Sequence, residues 1–479
     1  MDTPSSGGSG AETSWPGAWA QQFGLCSACG VCAGVCPPGA LKMVADGQGS
    51  YRPALADPAA CTSCGLCARV CPFGDGPDED ELGRDVYANV AGIAHTPETG
   101  YHLASVVGGL ADDDRRLSRT SGGLATWVLA ALLEKGWVDR VVCVRPGPGP
   151  GRYFEFAAFS RPEEVWGASR SSYYPVEISA CLREMVASDL RYAVIGLPCL
   201  VKGLRRAQKH VPKLRRNIAF VLGLACSQQC TKWLAEYLIR KAGATPRDVE
   251  RIDFRWKEPN QPAHRYSFAA WVRGEAEPRR LPNTRGFWAA WSRGYFTEHA
   301  CRFCDDLFAE LADMTFMDAW LPGAIADPRG TSIALARDPR TAELLQAGAA
   351  AGELDVRPIG VDQVIRSQVY RLVQKRDQLA GRLSAPGVRL PEGFRRRVRP
   401  LGWWHWAERF RRAADMRRTE ACKAAFARMR ERGGFIDEFE RARRRRCRRD
   451  AFLLRLLKVT DAPRRLVGRI RRRWGNRVS

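Results

Sequence analysis

Between about residue 87 and residue 337, short β-branched runs alternate with stretches whose apolar residues recur at helical spacing. Runs of four to eight apolar residues indicate buried strands, and apolar positions three and four apart indicate amphipathic helices. The pattern predicts strands at 140–144, 192–197, 218–225, 252–256, 266–272 and 314–316, and helices at 124–135, 176–187, 204–210 and 231–241. Such alternation is typical of layered α/β folds, so we expect an α/β body.

The pattern differs on both sides of this region. Residues 1–20 predict a flexible leader, residues 25–73 are dense in cysteine, and the acidic run 75–81 indicates a linker. After Pro391 the chain is rich in Arg, Ala and Leu at helical spacing with almost no strand signal, which predicts a separate helical appendage over 393–479. A chain of 479 residues is long enough for about three domains.

Composition excludes several classes of protein. With 45% hydrophobic and 27% charged residues, the chain is neither disordered nor low in complexity. No apolar run approaches the ~18 residues that a membrane-spanning helix needs, and the first residues show no secretory pattern, so we expect a cytoplasmic protein. In a reducing compartment, 17 cysteines favour metal ligation or redox chemistry over disulfides.

The formal charge of +23 is concentrated at one end of the chain. Residues 391–479 hold 29 Lys and Arg against 10 Asp and Glu, which gives +19 of the total. Leu466, Ile470 and Trp474 follow a helical spacing among arginines, as in a basic amphipathic helix. A solvated face or an acidic protein partner is favoured, peripheral contact with an anionic membrane comes next, and nucleic acid comes last because no binding motif accompanies the charge.

One cysteine pattern occurs twice, as C-x2-C-x2-C-x3-C-P. The copies are Cys26, Cys29, Cys32, Cys36 with Pro37, and Cys61, Cys64, Cys67, Cys71 with Pro72. This is the spacing of bacterial two-cluster ferredoxins, in which the fourth cysteine of each copy ligates the other [4Fe-4S] cluster. One cluster would take Cys26, Cys29, Cys32 and Cys71, and the other Cys61, Cys64, Cys67 and Cys36. Paired zinc knuckles are the alternative, but zinc needs neither the third evenly spaced cysteine nor the Cys-Pro step.

Four further cysteines lie at suggestive places in the α/β region. Cys199 and Cys226 each follow a predicted strand, and Cys301 and Cys304 form a C-x2-C pair. Strand ends converge in α/β folds, so these thiols could meet, although a single buried cysteine often only packs. Cys230 remains open as a substitute ligand for Cys226.

Several short motifs in the body resemble the coenzyme F420 hydrogenase/dehydrogenase beta-subunit family in order and spacing. They are TSGGLAT at 120–126, SSYYP at 171–175, IGLPC at 195–199, GLAC at 223–226 and CRFC at 301–304, followed by ADM at 312–314 and DAW at 318–320. The resemblance extends over about residues 85–345, and it includes the N-terminal ferredoxin-like dicluster domain. It implies a small α+β domain at 21–80, followed by N-terminal and C-terminal family domains at 85–175 and 176–345.

The same resemblance implies cofactors and the residues that hold them. It implies non-covalent FAD against Ser121, Gly122, Gly123 and Thr126, and a third [4Fe-4S] cluster held by Cys199, Cys226, Cys301 and Cys304. A Ser-Gly-Gly turn at a helix start suits a pyrophosphate, although such a serine is often only an N-cap. Tyr173 is a candidate for stacking on the flavin. The sequence contains no GxGxxG or P-loop motif that would support nicotinamide or nucleoside triphosphate binding.

One departure from the family pattern concerns the substrate. Where the family has a Gly-Asp step before the tryptophan, this chain has Met317 and Asp318, so the identity of the coenzyme stays open. We interpret Asp313 and Asp318 as hydrogen-bonded strand-end residues rather than acid–base catalysts. No catalytic residue is assigned.

These observations predict an iron–sulfur flavoprotein oxidoreductase. It would couple hydride exchange at FAD, with coenzyme F420 as the implied small-molecule hydride donor or acceptor, to one-electron transfer through [4Fe-4S] clusters toward a redox partner protein or subunit. Two alternatives remain open: a ferredoxin-dependent reductase of an organic substrate, and a flavin-free electron-transfer subunit of a larger complex.

Overall fold

The computed structural model describes residues 15–168 and 170–445. Its strands, β1 to β15, are Leu41–Ala45, Tyr51–Leu55, Ala94–Thr96, Gly100–His102, Ala104–Leu110, Arg140–Gly149, Arg152–Phe159, Tyr192–Gly196, Ile218–Leu224, Val249–Lys257, Tyr266–Val272, Arg279–Pro282, Met314–Asp318, Ser332–Ala336 and Leu354–Pro358. Short 3-10 turns occur at Asn283–Arg285, His299–Phe303, Gly323–Ala326 and Trp403–His405.

The helices, α1 to α16, are Trp19–Gln22, Val31–Gly34, Leu66–Arg69, Glu79–Tyr87, Asp113–Leu117, Leu124–Glu134, Pro162–Ala168, Ser179–Ala187, Pro198–His210, Pro212–Asn217, Trp233–Lys241, Phe287–Ser292, Pro339–Ala350, Val361–Lys375, Asp377–Leu383 and Trp406–Glu431. A further helical segment covers residues 436–445. Within the described residues, no helix combines the length and apolar character needed to cross a membrane.

An eight-stranded mixed sheet forms the centre of the body. Its strand order is β15-β5-β14-β13-β9-β8-β6-β7. The four adjacent strands β13, β9, β8 and β6 run parallel to one another, and the antiparallel strands β14 and β7 flank them. The parallel strands place their carboxyl ends at one edge, which is where α/β folds build ligand sites.

Both faces of this sheet are buried, which explains why its central strands are continuously apolar in the sequence. Ala193 and Ile195 of β8 face α6 and α13 together with residues of the neighbouring strands. Tyr192 and Val194, the alternate residues, face α8 and α9 on the opposite side. Successive side chains of these strands therefore point alternately into two apolar cores, one on each face of the sheet, and not into one core and solvent.

The cysteine-dense segment packs against the second of these faces. Val31 and Val70 are fully buried among residues of α8 and α9. The antiparallel hairpin of β1 and β2 lies within the same segment, so the small α+β unit is confirmed as a ferredoxin-like addition to the mixed α/β body.

The C-terminal region is helical but is not separate from the body. Phe426 of α16 is completely buried and packs against Trp233, Tyr237 and Phe296. Upstream, the Arg397 guanidinium lies 2.6 Å from a Glu310 carboxylate oxygen. The expectation of a separate appendage over 393–479 is therefore not confirmed: the described residues up to 445 pack against the body, and helical periodicity does not show which surface covers an apolar stripe. The basic helix expected at 464–474 lies outside the described residues.

Most predicted elements are present with shifted ends. The strand at 266–272 is confirmed as β11, and the helix at 204–210 begins earlier, at Pro198, where proline suits a first helical turn. In the eight-stranded sheet the pattern missed β5, β7, β14 and β15, of which β5 contains two glycines and reads weakly as a strand. Strands from both sides of residue 175 share the sheet, and the proposed domain boundaries stay a prediction.

Candidate functional site

The two cysteine motifs fold into the same backbone shape. Residues Ala28 and Ser63, each before the second cysteine of its motif, have φ of 59° and 51°. Residues Gly30 and Gly65, each after that cysteine, have φ of 81° and 73° and begin a short helix. A left-handed conformation in a non-glycine residue is uncommon and costs free energy, so its repetition at equivalent positions indicates a shape that serves the cysteines.

Electrostatic neighbours divide the eight sulfurs into the two predicted groups. Burial raises the pKa of Cys32 well above its usual value; Cys29, Cys26 and Cys71 raise it further, and Cys67 of the other set adds a smaller effect. The remaining four, Cys36, Cys61, Cys64 and Cys67, line one cavity together with Trp15 and Leu66. The structure thus brings together the sets that the crossed assignment requires.

Backbone N–H groups point at several of these sulfurs. Cys26 accepts a hydrogen bond from Ala28, Cys29 from Val31, and Cys71 from Phe73 and Gly74. Burial raises the pKa of Cys29 to about 12, so without a bound cation the thiol stays protonated. Donors aimed at buried sulfurs suit thiolates bound to iron, because they stabilise the negative charge.

The body cysteines meet at the carboxyl edge of the large sheet. Gly196 of β8 pairs in parallel with Gly223 of β9, and Cys199 and Cys226 each follow three residues later in the chain. Cys199 is in the first turn of α9, while Cys301 and Cys304 lie in and just after a 3-10 turn. The parallel register therefore sets two thiols side by side, and the turn supplies the other two.

All four body sulfurs are mutually close, and they are close to the ferredoxin-like unit. Burial raises the pKa of Cys199 well above its usual value, and the charges of Cys29, Cys301, Cys226 and Cys304 raise it further. Cys199 and Cys304 also share an apolar cluster with Cys71. The four-cysteine set thus lies next to the first ferredoxin-like set.

Cys230 occupies a different place. It is 2% exposed and packs in the aromatic core around Trp233, with electrostatic contact to Cys301 and Cys226. Cys226, by contrast, raises the pKa of Cys199, and both Cys301 and Cys304 raise the pKa of Cys226, so the geometry favours Cys226 as the fourth ligand. In residues 15–168 and 170–445, no three His, Cys, Asp or Glu side chains are arranged to hold a single metal ion.

A cavity of about 350 Å³ opens beside these cysteines. Cys226 lines it, and so does the start of α6, with Ser121, Gly123 and Thr126 in its wall. Its volume is in the range of pockets for cofactors, and a helix N-terminus favours an anionic group such as a pyrophosphate. A cofactor that carries an anionic group could therefore lie in this cavity.

Gly122 does not line this cavity, and its role is in packing. A Cβ atom there would lie 2.4 Å from the Gly108 carbonyl oxygen and 2.8 Å from the Ser332 amide nitrogen. The Gly122 N–H instead donates to the Ser332 hydroxyl at 2.9 Å. The glycine thus lets the turn approach β5 and β14 and so positions Ser121 and Gly123.

Aromatic and charged side chains complete the cavity wall. Tyr173 lies within 4.7 Å of Trp291, measured between ring centroids, and it belongs to an aromatic cluster. The Arg255 guanidinium donates to an Asp318 carboxylate oxygen at 2.8 Å, and both side chains line the cavity. Arg119, Arg170 and Arg371 also line it, so cationic groups outnumber the carboxylate and favour an anionic ligand.

The two aspartates behave as structural residues. Asp313 accepts hydrogen bonds from the Val221 amide at 2.7 Å and from Arg205 at 2.6 Å, and it is buried. Asp318 accepts from Arg255. Of the cavity residues, Arg255 and Arg371 carried no sequence signal, because a single arginine in a strand or helix usually faces solvent.

Three family descriptions match this chain. Residues 25–74 match a 4Fe-4S dicluster domain. Residues 106–183 match the N-terminal part, and residues 189–361 the C-terminal part, of the coenzyme F420 hydrogenase/dehydrogenase beta subunit. The match to the 4Fe-4S dicluster domain defines an iron–sulfur protein. The chain belongs to the coenzyme F420 hydrogenase/dehydrogenase beta-subunit family, a family of oxidoreductases.

Two relatives and one solved structure are similar to this chain at low identity. The chain is 24% identical over 241 residues to the coenzyme F420-dependent sulfite reductase of Methanocaldococcus jannaschii, covering 47% of this chain and 34% of that protein. It is 23% identical over 273 residues to the coenzyme F420 hydrogenase subunit beta of Methanosarcina barkeri, covering 55% and 84%. A chain of the F420-reducing [NiFe] hydrogenase complex from Methanosarcina barkeri aligns with a TM-score of 0.49 and 18% identity, over 63% of this chain and all of that one. The match thus spans about a third of the length of the sulfite reductase.

Proposed function

We propose that this chain is an iron–sulfur flavoprotein oxidoreductase that exchanges electrons between FAD in the 350 Å³ cavity and a protein partner, through three [4Fe-4S] clusters. The single observation that carries the proposal is the order of the sites. Cys226 lines the cavity, and Cys199 lies beside Cys29 of the ferredoxin-like unit. A continuous row of cysteine sets thus leads from a ligand cavity to the protein surface.

FAD supplies the chemistry that joins two-electron exchange with an organic donor to one-electron exchange with clusters. The chain's own residues would hold and shield it. The first turn of α6 would face the pyrophosphate, with the Ser121 and Thr126 side chains beside it. The cationic side chains Arg119, Arg170 and Arg371 would balance its phosphate charge.

The second ferredoxin-like set marks the end where a protein partner would dock. Cys64 is exposed, whereas Cys26, Cys29, Cys32 and Cys71 are each at least partly covered. Thr62 and Ser63 beside it are also exposed. A redox protein or subunit could therefore approach this cluster more closely than any other.

The hydride partner that we propose is coenzyme F420. Both relatives carry this coenzyme in their names, one as an F420-dependent sulfite reductase and one as an F420 hydrogenase subunit. The excess of arginine in the cavity suits a negatively charged coenzyme. The wider activity and the physiological acceptor belong to the same proposal.

Anaerobic purification followed by flavin release and by iron and sulfide counting tests the cofactors. We expect one FAD and three clusters per chain, with flavin bleaching when reduced coenzyme F420 is added and none with NADH. Iron without flavin would contradict the proposal in favour of a flavin-free electron-transfer subunit.

A variant pair tests whether the cavity holds the flavin. Ala125 lies in the first turn of α6 and lines the cavity, so Ala125→Trp should expel FAD by filling the space while leaving the iron content unchanged. Ala125→Ser is the matched control and should retain FAD. Full flavin occupancy in Ala125→Trp would show that FAD binds elsewhere.

A further inference from the structure

Lys257, the last residue of β10, holds the turn that precedes α6. Its ammonium group donates hydrogen bonds to the Ser121 carbonyl oxygen at 3.0 Å and to the Arg116 carbonyl oxygen at 3.1 Å, and it donates a third to the Arg329 carbonyl. An ammonium group has three N–H donors, so these contacts use all of them. One side chain of the three-stranded sheet thus joins α5, the turn before α6 and the loop before β14.

The backbone is packed closely around this ammonium group. A Cβ atom on Gly330 would lie 2.9 Å from the Lys257 ammonium nitrogen and 3.1 Å from the Ser121 Cα atom. The next carbonyl of the turn, that of Gly122, accepts a hydrogen bond from the Leu110 amide at 2.8 Å. Both carbonyl oxygens of the turn are therefore engaged with donors of the protein.

The same turn carries the start of α6 into the cavity wall. Ser121, Gly123 and Ala125 line the cavity, whereas Lys257 does not. The first N–H groups of an α-helix have no partner within the helix and favour an anion. A carbonyl oxygen turned toward the same anion would repel it through its partial negative charge. Hydrogen bonds that hold the carbonyl oxygens of the turn therefore help the helix start to accept an anionic group.

The charge of Lys257 is not neutralised by its own hydrogen-bond partners, which are all carbonyl oxygens. The carboxylate of Asp327, on the neighbouring loop, lies 3.2 Å from Arg116 and 3.0 Å from Arg329, so two arginines already share it. Lys257 is half-buried, and a cation withdrawn from water is stabilised by a nearby negative charge. An anionic ligand on the cavity side of the turn would provide that charge.

We propose that Lys257 is a positioning residue that shapes the turn before α6 for the pyrophosphate of FAD. Lys257 acts through Ser121 and not by contact with the ligand: it fixes the Ser121 carbonyl, keeps the turn against the loop before β14, and adds a positive charge behind the phosphate group. This inference rests on the proposed function, and it names the residue on which the phosphate end of the cavity depends.

Binding of three ligands to the full chain, freed of flavin under anaerobic conditions, tests the inference. FAD and ADP contain the pyrophosphate, whereas riboflavin contains the isoalloxazine ring and no phosphate. Lys257→Met should weaken binding of FAD and of ADP by at least about tenfold, the usual effect of losing hydrogen bonds to a charged group. Riboflavin binding and iron content should stay unchanged. Quenching of flavin fluorescence measures the two flavins, and competition with FAD measures ADP.

Arg251→Met is the matched control. Arg251 belongs to the same strand, is exposed, and places its guanidinium carbon 3.7 Å from the Trp271 ring centroid. Its substitution removes one positive charge and no hydrogen bond to the turn, so all three ligands should bind as they do to the unsubstituted protein. Gly330→Ala is a second variant, which retains the lysine but crowds its ammonium group. It should show the same selective loss as Lys257→Met.

Three results in the variants would overturn the inference. Unchanged binding of FAD and ADP in Lys257→Met, or in Gly330→Ala where the lysine variant does not fold, would show that the lysine does not shape the phosphate end of the cavity. Equal weakening of riboflavin binding would show that Lys257 serves packing alone. The same selective loss in Arg251→Met would show that the hydrogen bonds of Lys257 have no special role. An unsubstituted protein that holds its clusters but binds none of the three ligands would instead refute the proposed function itself.

Discussion

The ferredoxin-like segment and the α/β body reach the same kind of cysteine site by different routes. In the segment, each motif supplies three neighbouring ligands within seven residues, and a local backbone shape with Ala28 and Ser63 at positive φ arranges them. In the body, Cys199 and Cys226 lie side by side because the strands β8 and β9 pair in parallel, and Cys304, over a hundred residues from Cys199, is brought to them by the 3-10 turn His299–Phe303. The first site is a property of local sequence, and the second is a property of the whole fold.

The two sites also differ in their surroundings. The segment lies on one face of the sheet and exposes Cys64 to solvent. The body set is enclosed by α9, the turn at His299–Phe303 and Lys375 of α14. Damage to distant parts of the chain should therefore reach the body site more readily than the segment.

Truncation after Pro391 should have the largest effect, and it should affect the body site far more than the ferredoxin-like segment. Phe426 and Arg397 would be lost from buried positions, leaving Glu310 without its closest cation, so we expect the body cluster and the flavin to be lost. The local motifs should still accept iron on reconstitution. Iron counting, flavin release and EPR measure the outcome.

Truncation after residue 445 is the control and should leave all cofactors in place. Retention of both flavin and body cluster in the chain that ends at Pro391 would show that the C-terminal region is dispensable for the body site. That outcome would contradict the difference between the two cysteine sites.

Single ligand substitutions compare the sites directly. Cys64→Ser should remove the iron of one ferredoxin-like cluster while the body stays folded, because its motif is local. Cys304→Ser should remove the body cluster and slow electron exchange between the flavin and the segment. Iron counts and low-temperature EPR give the readout, and an unchanged spectrum for Cys304→Ser would remove it from the ligand set.

Core packing by the C-terminal helix can be measured on its own. Phe426→Ala should lower the free energy of unfolding of the body by about 3–5 kcal/mol, the usual cost of removing a buried phenylalanine. Phe410 lies on the same helix but is 47% exposed, so Phe410→Ala should change stability by less than about 0.5 kcal/mol. Denaturant titration followed by tryptophan fluorescence tests both, and equal effects would contradict the packing.

Gly30 and Gly65 occupy equivalent positions in the two cysteine motifs, and their substitution gives the comparison with the smallest expected effect. Both have positive φ, so replacement by alanine should cost about 1–2 kcal/mol at either position. At Gly30 a Cβ would also lie 2.5 Å from a Glu177 carboxylate oxygen and 2.9 Å from the Ile178 amide nitrogen. At Gly65 the nearest atom, on Arg69, is 3.4 Å away. Gly30→Ala should therefore destabilise the segment more than Gly65→Ala does. Loss of cluster absorbance in denaturant measures both effects. The reverse order would show that packing of the segment against α8 is unimportant for its stability.

The sequence allowed some features of the site to be predicted and concealed others. The spacing of Cys26 to Cys71 implied two crossed sets, and the structure groups their sulfurs in that way. Cys199, Cys226, Cys301 and Cys304 were implied by resemblance, and the structure brings them together, while the flavin roles of Ser121, Gly123, Thr126 and Tyr173 stay predictions. The flavin role of Gly122 also stays a prediction, and the structure shows that this glycine permits close backbone packing. Lys257 and Arg255 gave no signal, since a lone cation in a helix or strand is usually solvated.

What the sequence alone determined was chemistry carried by local spacing and periodicity: the two four-cysteine motifs, the alternation of strands and helices, and the absence of a nicotinamide fingerprint. Only the tertiary structure decided which distant groups meet. It brought the four body thiols together, opened the cavity against Cys226, and packed the C-terminal helix onto the aromatic core. The physical reason is range: hydrogen bonds and turns act between near neighbours in sequence, whereas parallel strand pairing and core packing join residues far apart in the chain.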